Sequence, residues 1–202
     1  TTVDNDTAGF TLGAISGTVT EAASTATFTV VLDAQPVSDV VISVTSGDTG
    51  EATVSSGSLT FTNGNWDSAQ TITVTGVDDD IIDGNINTTI TLAINDGSSH
   101  DQYDDVANQT VTATTVDNDT AGFTLGAISG NVTEAGSTAT FTVVLNAEPS
   151  SNVVIDVTSG DTGEATVSPA SLTFTAANWD TTQTVTVTGV NDALADGSQN
   201  TT

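Results

Sequence analysis

The sequence has no lysine, no arginine, no cysteine and no methionine, and it has a single histidine. Twenty-six aspartate and glutamate residues therefore stand unopposed, the formal net charge is −26, and no carboxylate can pair with a lysine or arginine. Only cations or distance relieve that field, whose reach is screened to roughly 8 Å at physiological salt. Nucleic acid is excluded as an expected partner, and so is an anionic membrane surface, because each is recognised through a basic patch. The lack of cysteine removes disulfides and thiol chemistry. With one histidine and no lysine or arginine, the usual nucleophiles, bases and oxyanion-stabilising cations are nearly absent, and no enzymatic activity is expected. No apolar run approaches the roughly 18 residues of a membrane span, so no membrane insertion is expected, and no signal peptide is legible.

Charged residues nevertheless make up only 13% of the chain and hydrophobic ones 36%, with Thr, Ser, Asn and Gly filling the remainder, which is the composition of a folded chain rather than an acidic tail. The dominant feature is repetition. The stretch Thr2–Gly17, TVDNDTAGFTLGAISG, returns unchanged at Thr115–Gly130, and sliding the chain by 113 positions pairs residues 1–89 with 114–202 at 69 identities in 89. A period of that length is domain-sized, so each copy should own a core, and the copies should follow one another as beads in a linear array. Residues 1–6 read as the tail of a preceding repeat, 7–119 as a complete repeat, and 120–202 as a second repeat lacking its last strands. The counterpart of Ile90–Ala113 is missing from that second copy. Either a continuing array or a strand donated by another chain would complete it.

Alternation at period two runs throughout, and no convincing helical period is present, so the chain is read as all-β. Strands are expected at Gly9–Leu12, Thr18–Glu21, Thr25–Leu32, Val40–Thr45, Ser58–Phe61, Gln70–Val77, Thr88–Ile94 and Gln109–Val116, with turns at 34–39, 46–51, 63–67 and 78–85. In the third strand Ala26, Phe28, Val30 and Leu32 share one face while Thr25, Thr27 and Thr29 share the other, the pattern of a half-buried strand. Short strands of this number and spacing, in about 110 residues, describe an immunoglobulin-like antiparallel β-sandwich. Phe10, Phe28 and Phe61, with Phe123, Phe141 and Phe174 in the second copy, are expected in the cores.

The carboxylates concentrate at strand ends: Glu21, Glu51, the run Asp78, Asp79 and Asp80, then Asp83, and the pair Asp117 and Asp119. Strand ends distant in sequence meet at one pole of a Greek-key sandwich, and Ca²⁺ takes about 6 to 8 oxygen ligands there. Adjacent carboxylates repel unless something neutralises them, so calcium is the expected cofactor; the alternative is that acidic turns are simply soluble turns.

The motifs GTVTEAASTATFTVVL, GSLTF, AQTITVTGVDDDIIDG and the closing VDND, in that order across the whole 113-residue unit, resemble the Calx-β domain family, and in particular the tandem repeats of very large bacterial surface adhesins. The resemblance implies immunoglobulin-like sandwiches that bind several Ca²⁺ at the end where the next domain attaches. By motif it places ligands at Glu21, Glu51, Asp79, Asp80, Asp83, Asp117 and Asp119. Ala22 stands where the family has Gly, and Glu51 where it has the shorter Asp. In the second copy Glu134, Glu164, Asp192 and Asp196 keep their places, whereas Asn191 and Ala193 replace Asp78 and Asp80, which makes that site the weaker one.

Trp66 and Trp179 lie in identical NWD turns and read as plugs over the core ends rather than as sugar platforms. Ser99, His100 and Asp101 are consecutive in a loop, where side chains diverge, so they do not form a catalytic triad. The expected function is that of a structural spacer in an extracellular adhesin or surface fibre, stiffened by calcium at the joints between neighbouring repeats. A fibre subunit completed by strands from identical chains is the first alternative, and a glycan-binding module the second.

Overall fold

The computed structural model describes every residue except Thr1, Thr2, Asp4 and Asp196. Asp196, a candidate ligand, and Asp4 thus lie outside the described residues. The chain is almost entirely β and divides into two compact units, Thr1–Asp79 with Asp83–Asn118, and Asp80–Ile82 with Asp119–Thr202.

Unit one contains nine strands: β1 (Phe10–Leu12), β2 (Val19–Thr20), β3 (Thr25–Leu32), β4 (Val40–Ser46), β5 (Ala52–Val54), β6 (Ser58–Phe61), β7 (Gln70–Gly76), β8 (Ile86–Ile94) and β9 (Gln109–Val116). One sheet has the order β1-β3-β7-β5 and the other β2-β9-β8-β4-β6. The first fills the A-B-E-D lanes of an immunoglobulin sandwich, and β9, β8 and β4 fill the G-F-C lanes. Two 3₁₀ turns, Asp96–Ser98 and Asp101–Tyr103, connect β8 to β9.

Alternation explains the packing. Along β3 the apolar residues at every second position are buried and Thr25 and Thr27 are exposed, so one face enters the core and the other meets water. Nineteen buried residues drawn from both sheets form one cluster, with Trp66 packed against it. The β8–β9 hairpin supplies Ile90, Leu92, Val111 and Ala113 to that cluster, and Tyr103 from its connection. At about 1.5–3 kcal/mol for each fully buried large apolar side chain, this hairpin is among the main stabilising elements of the unit. Tyr103 also ties the hairpin to the opposite loop by donating its hydroxyl to the Ala34 carbonyl. Ser99 braces β4 from the same connection, accepting from the Val41 amide at 3.0 Å and donating to its carbonyl at 3.2 Å.

Unit two keeps the first sheet as β10 (Phe123–Leu125), β11 (Thr138–Leu145), β13 (Ala165–Ser168) and β15 (Gln183–Gly189), in the order β10-β11-β15-β13. Its second sheet is reduced to β12 (Val153–Asp156) paired with β14 (Ser171–Phe174). No counterparts of β8 and β9 are present among the described residues, and the buried cluster falls to five residues. Val132–Thr133, the counterpart of β2, is not a strand. The reason is direct: β2 exists by pairing with β9, Val19 with Thr115 and Thr20 with Val116.

Two expectations are corrected here. The three-residue strand β5 follows so closely on the turn at 46–51 that one alternation does not announce it. Phe123, expected in a core, is 50% exposed and Phe141 is only partly buried, whereas Phe10 and Phe28 are buried at 2% and 1%. Identical residues differ because the hairpin that covers them in unit one has no equivalent over them.

Candidate metal centre

The register of β2 on β9 determines where the acids go. These strands run parallel and end together, so the residues that follow them, Glu21 and Asp117, emerge side by side, and the Glu21 amide donates to the Val116 carbonyl at 3.3 Å. The Asn118 amide then donates to Glu21 Oε2 at 2.9 Å. Through that bond the chain folds over Glu21, and carboxylate oxygens of Glu21, Asp117 and Asp119 all lie within 4.8 Å of one another. Glu21 is 1% exposed, and Asp117 and Asp119 are half-buried.

The turn after Glu21 is tight. The Ala23 amide donates to the Glu21 carbonyl at 2.7 Å and Ala23 adopts a φ of 60°. That left-handed conformation suits glycine better than alanine; unit two has Gly136 there, at a φ of 79°.

The loop between β7 and β8 closes on the same segment. The Gly84 amide donates to Asp117 Oδ2 at 2.8 Å, the Asp117 amide donates to Asn85 Oδ1 at 3.3 Å, and Asn118 Nδ2 donates to Asp78 Oδ1 at 3.2 Å. Asp78, Asp80 and Asp83 are exposed and Asp79 is half-buried. Glu51, only 7% exposed, is held by its carbonyl, which accepts from the Val77 amide at 2.9 Å and from the Thr115 hydroxyl at 3.1 Å. Burial pushes the Glu51 carboxyl above its ordinary value, and the charges of Asp83, Asp79, Asp48 and Glu21 push it further in the same direction. These acids, scattered over the sequence, therefore act on one another in the fold.

Asp48 is an addition to the sequence candidates. It sits three residues before Glu51 in the same turn, where its Oδ1 accepts from the Gly50 amide at 2.9 Å. An acid at each end of one short turn was the available signal.

The candidate acids of unit two stand apart. Glu134 is exposed, Glu164 and Asp192 are half-buried, and Asp192 Oδ1 accepts from the Leu194 amide at 2.8 Å. Among the described residues Glu21, Asp117 and Asp119 are the only grouping of three potential metal ligands. Among the described residues Glu134 has no strand beside it like β9, which leads into Asp117 and Asp119 next to Glu21.

The donor set fits a hard divalent cation. It is made of oxygen alone, with no cysteine in the chain, and its buried carboxylates have no lysine or arginine anywhere to offset their charge. A buried carboxylate without a counter-charge is costly, and a divalent cation removes that cost for several at once. The other motifs resolve structurally. Trp66 and Trp179 pack against the two cores, and His100, which begins a 3₁₀ turn, has Tyr103 as its ring neighbour.

No family model matches the chain, and no curated protein does. Among solved structures it is similar to CBD12 from CALX1.2 at 16% identity and a TM-score of 0.40, over 91% of this chain and 75% of that one. The calcium-binding CBD12 of CALX1.1 follows at 18% identity and a TM-score of 0.38, over 87% and 73%. The E. coli chaperone DraB has 10% identity and a TM-score of 0.37, over 91% and 87%. The case for a metal centre is made by the side chains themselves.

Proposed function

We propose that this chain is a structural spacer of an extracellular adhesin or surface fibre, and that calcium held by the acids at the end of each repeat stiffens the joint to the next. The observation that carries this reading is the convergence of Glu21, Asp117 and Asp119, with buried Glu51 beside them, in a chain that has no basic side chain to neutralise them. In the resident site Glu21, Asp117 and Asp119 would be the central ligands. Glu51, Asp79 and Asp83 would add charge around them, and the ion would supply the positive charge that the sequence lacks. Asp117-Asn118-Asp119 recurs as the closing motif of a repeat, so an ion held there constrains the chain where one repeat passes into the next. Near identity of the two copies also supports a spacer, since constant stiffness needs the same joint each time. The role in this reading is mechanical.

Calcium that binds the folded form stabilises it by about 2.7 kcal/mol at one hundred times its Kd. Titrating calcium into EGTA-treated protein is expected to raise the melting temperature of unit one and to narrow the range of dimensions seen by small-angle scattering. The double variant Asp117→Ala, Asp119→Ala is expected to remain folded in unit one and lose the calcium response. Unchanged calcium stoichiometry in that variant, or melting and scattering indifferent to EGTA, overturns the reading.

A further inference from the structure

The turn between β6 and β7 holds the one Asn-Gly pair in the sequence, Asn63-Gly64. It lies at the start of β7, whereas the acids follow the end of that strand. Both residues are exposed. Gly64 has no Cβ to screen its nitrogen, which donates to the Thr62 hydroxyl at 3.2 Å. Asn63 also fastens this turn to the one between β3 and β4. Its Nδ2 donates to the Pro36 carbonyl at 3.1 Å, and its own carbonyl accepts from Gln35 Nε2 at 3.0 Å. Unit two has Glu148 in place of Gln35 and Ala176-Ala177 in place of Asn63-Gly64, so it lacks both amide donors. Asn65 and its counterpart Asn178 are placed differently. Each is half-buried, precedes a tryptophan, and has its Oδ1 held by a threonine amide at 2.6 Å and hydroxyl at 3.1 Å.

We propose that Asn63-Gly64 is a site of spontaneous modification, at which Asn63 converts to aspartate and isoaspartate, and that the conversion unfastens the two turns of unit one. The Gly64 nitrogen gives up its proton and bonds to Asn63 Cγ, the bond from Cγ to Nδ2 breaks, and ammonia leaves with that proton. Water then adds to either carbonyl of the resulting cyclic imide and opens it. One water is consumed, one ammonia is released, and nothing is oxidised or reduced. Glycine favours the step because no side chain shields its nitrogen or restricts its approach. Either product replaces the Nδ2 donor with a carboxylate oxygen, which faces the Pro36 carbonyl as one acceptor faces another. Isoaspartate also lengthens the main chain by a methylene beside the carbonyl that Gln35 holds. The change is one-way and needs no enzyme, so the converted fraction grows with the age of the protein. The assignment stands independently of calcium.

The test incubates the full chain in mildly alkaline buffer at physiological temperature and follows its chymotryptic peptides by mass spectrometry, since trypsin has no site in a chain without lysine or arginine. Cleavage after Phe61 and Trp66 releases TNGNW, and cleavage after Phe174 and Trp179 releases TAANW as an internal control. Asn63 is expected to convert to a mixture of aspartate and isoaspartate while Asn65 and Asn178 stay intact. Gly64→Ala is expected to slow the conversion by an order of magnitude or more. That variant keeps the turn, because a Cβ at Gly64 would meet only the Thr62 hydroxyl, at 3.9 Å, and unit two already carries Ala177 there. Asn63→Asp, which fixes the charge of one product, is expected to speed hydrogen exchange several-fold at residues 33–39 and to lower the melting temperature of unit one. The modification site is overturned if Asn63 stays intact in an incubation that converts the free peptide TNGNW, if Asn65 or Asn178 converts as fast, or if Gly64→Ala converts at the parent rate. Parental exchange and melting in Asn63→Asp overturn the unfastening.

Discussion

Glu51 shows how a single carboxylate couples folding to its surroundings. Its raised pKa comes first from burial and then from Asp83, Asp79, Asp48 and Glu21, so in the absence of metal the folded state binds its proton more tightly than the unfolded state does. The stability that protonation contributes is present below the ordinary value of 4.5 and is lost as pH rises through the folded value. In chelator, the melting temperature of unit one is therefore expected to fall across that rise. Glu51→Gln, neutral and of similar shape, should flatten this dependence and melt higher than the parent at neutral pH in chelator. In calcium the same substitution should lower apparent affinity; thermal scans at several pH values, with and without the ion, check both directions. Much of this was legible in the sequence, since Glu21, Glu51 and Asp117 all sit where alternation stops. Asp48 was signalled only by its place three residues before Glu51 in one turn, and the fold adds that its charge acts on the Glu51 carboxyl.

Strands were legible wherever alternation lasted several periods, as in β3 and β7, where Ala26, Phe28, Ile72 and Val74 mark the inward face. β2 and β5 are different, being too short to carry a pattern and existing because a partner lies alongside. β2 shows the dependence most clearly: its sequence is nearly the same in both copies, but it becomes a strand only where β9 is available. It is also pressed onto β7, for a Cβ added at Gly76 would lie 2.2 Å from the Thr20 carbonyl oxygen. Gly76→Ala is therefore expected to force β2 away from β7, destabilising unit one by about 1–3 kcal/mol or more. Because Glu21 follows β2 directly, calcium affinity should fall with it. The expected signature is a joint loss of melting temperature and calcium affinity. A conservative change at an exposed strand position such as Thr27→Ser should cause neither.

At the scale of the molecule, two copies with 69 of 89 positions identical differ among the described residues by one hairpin, β8–β9, which only unit one contains. The same hairpin assembles the acids, so core and site are completed together. The parallel pairing of β2 with β9 has a further consequence. Tension on the N-terminal side first meets β1, paired with β3; once it reaches β2 it draws that strand backwards while β9 is drawn forwards, so the hydrogen bonds between Val19–Thr20 and Thr115–Val116 are loaded together in shear instead of opening one by one. An ion held by Glu21, Asp117 and Asp119 would sit just beyond those bonds, as a cross-link in the load path. In single-molecule pulling, the unfolding force of unit one should therefore drop when calcium is chelated, by more than the equilibrium change in stability alone would give, because forced rupture reads the unfolding barrier. The calcium-dependent part of the resistance to tension would then reside in two pairs of residues and the carboxylates that follow them.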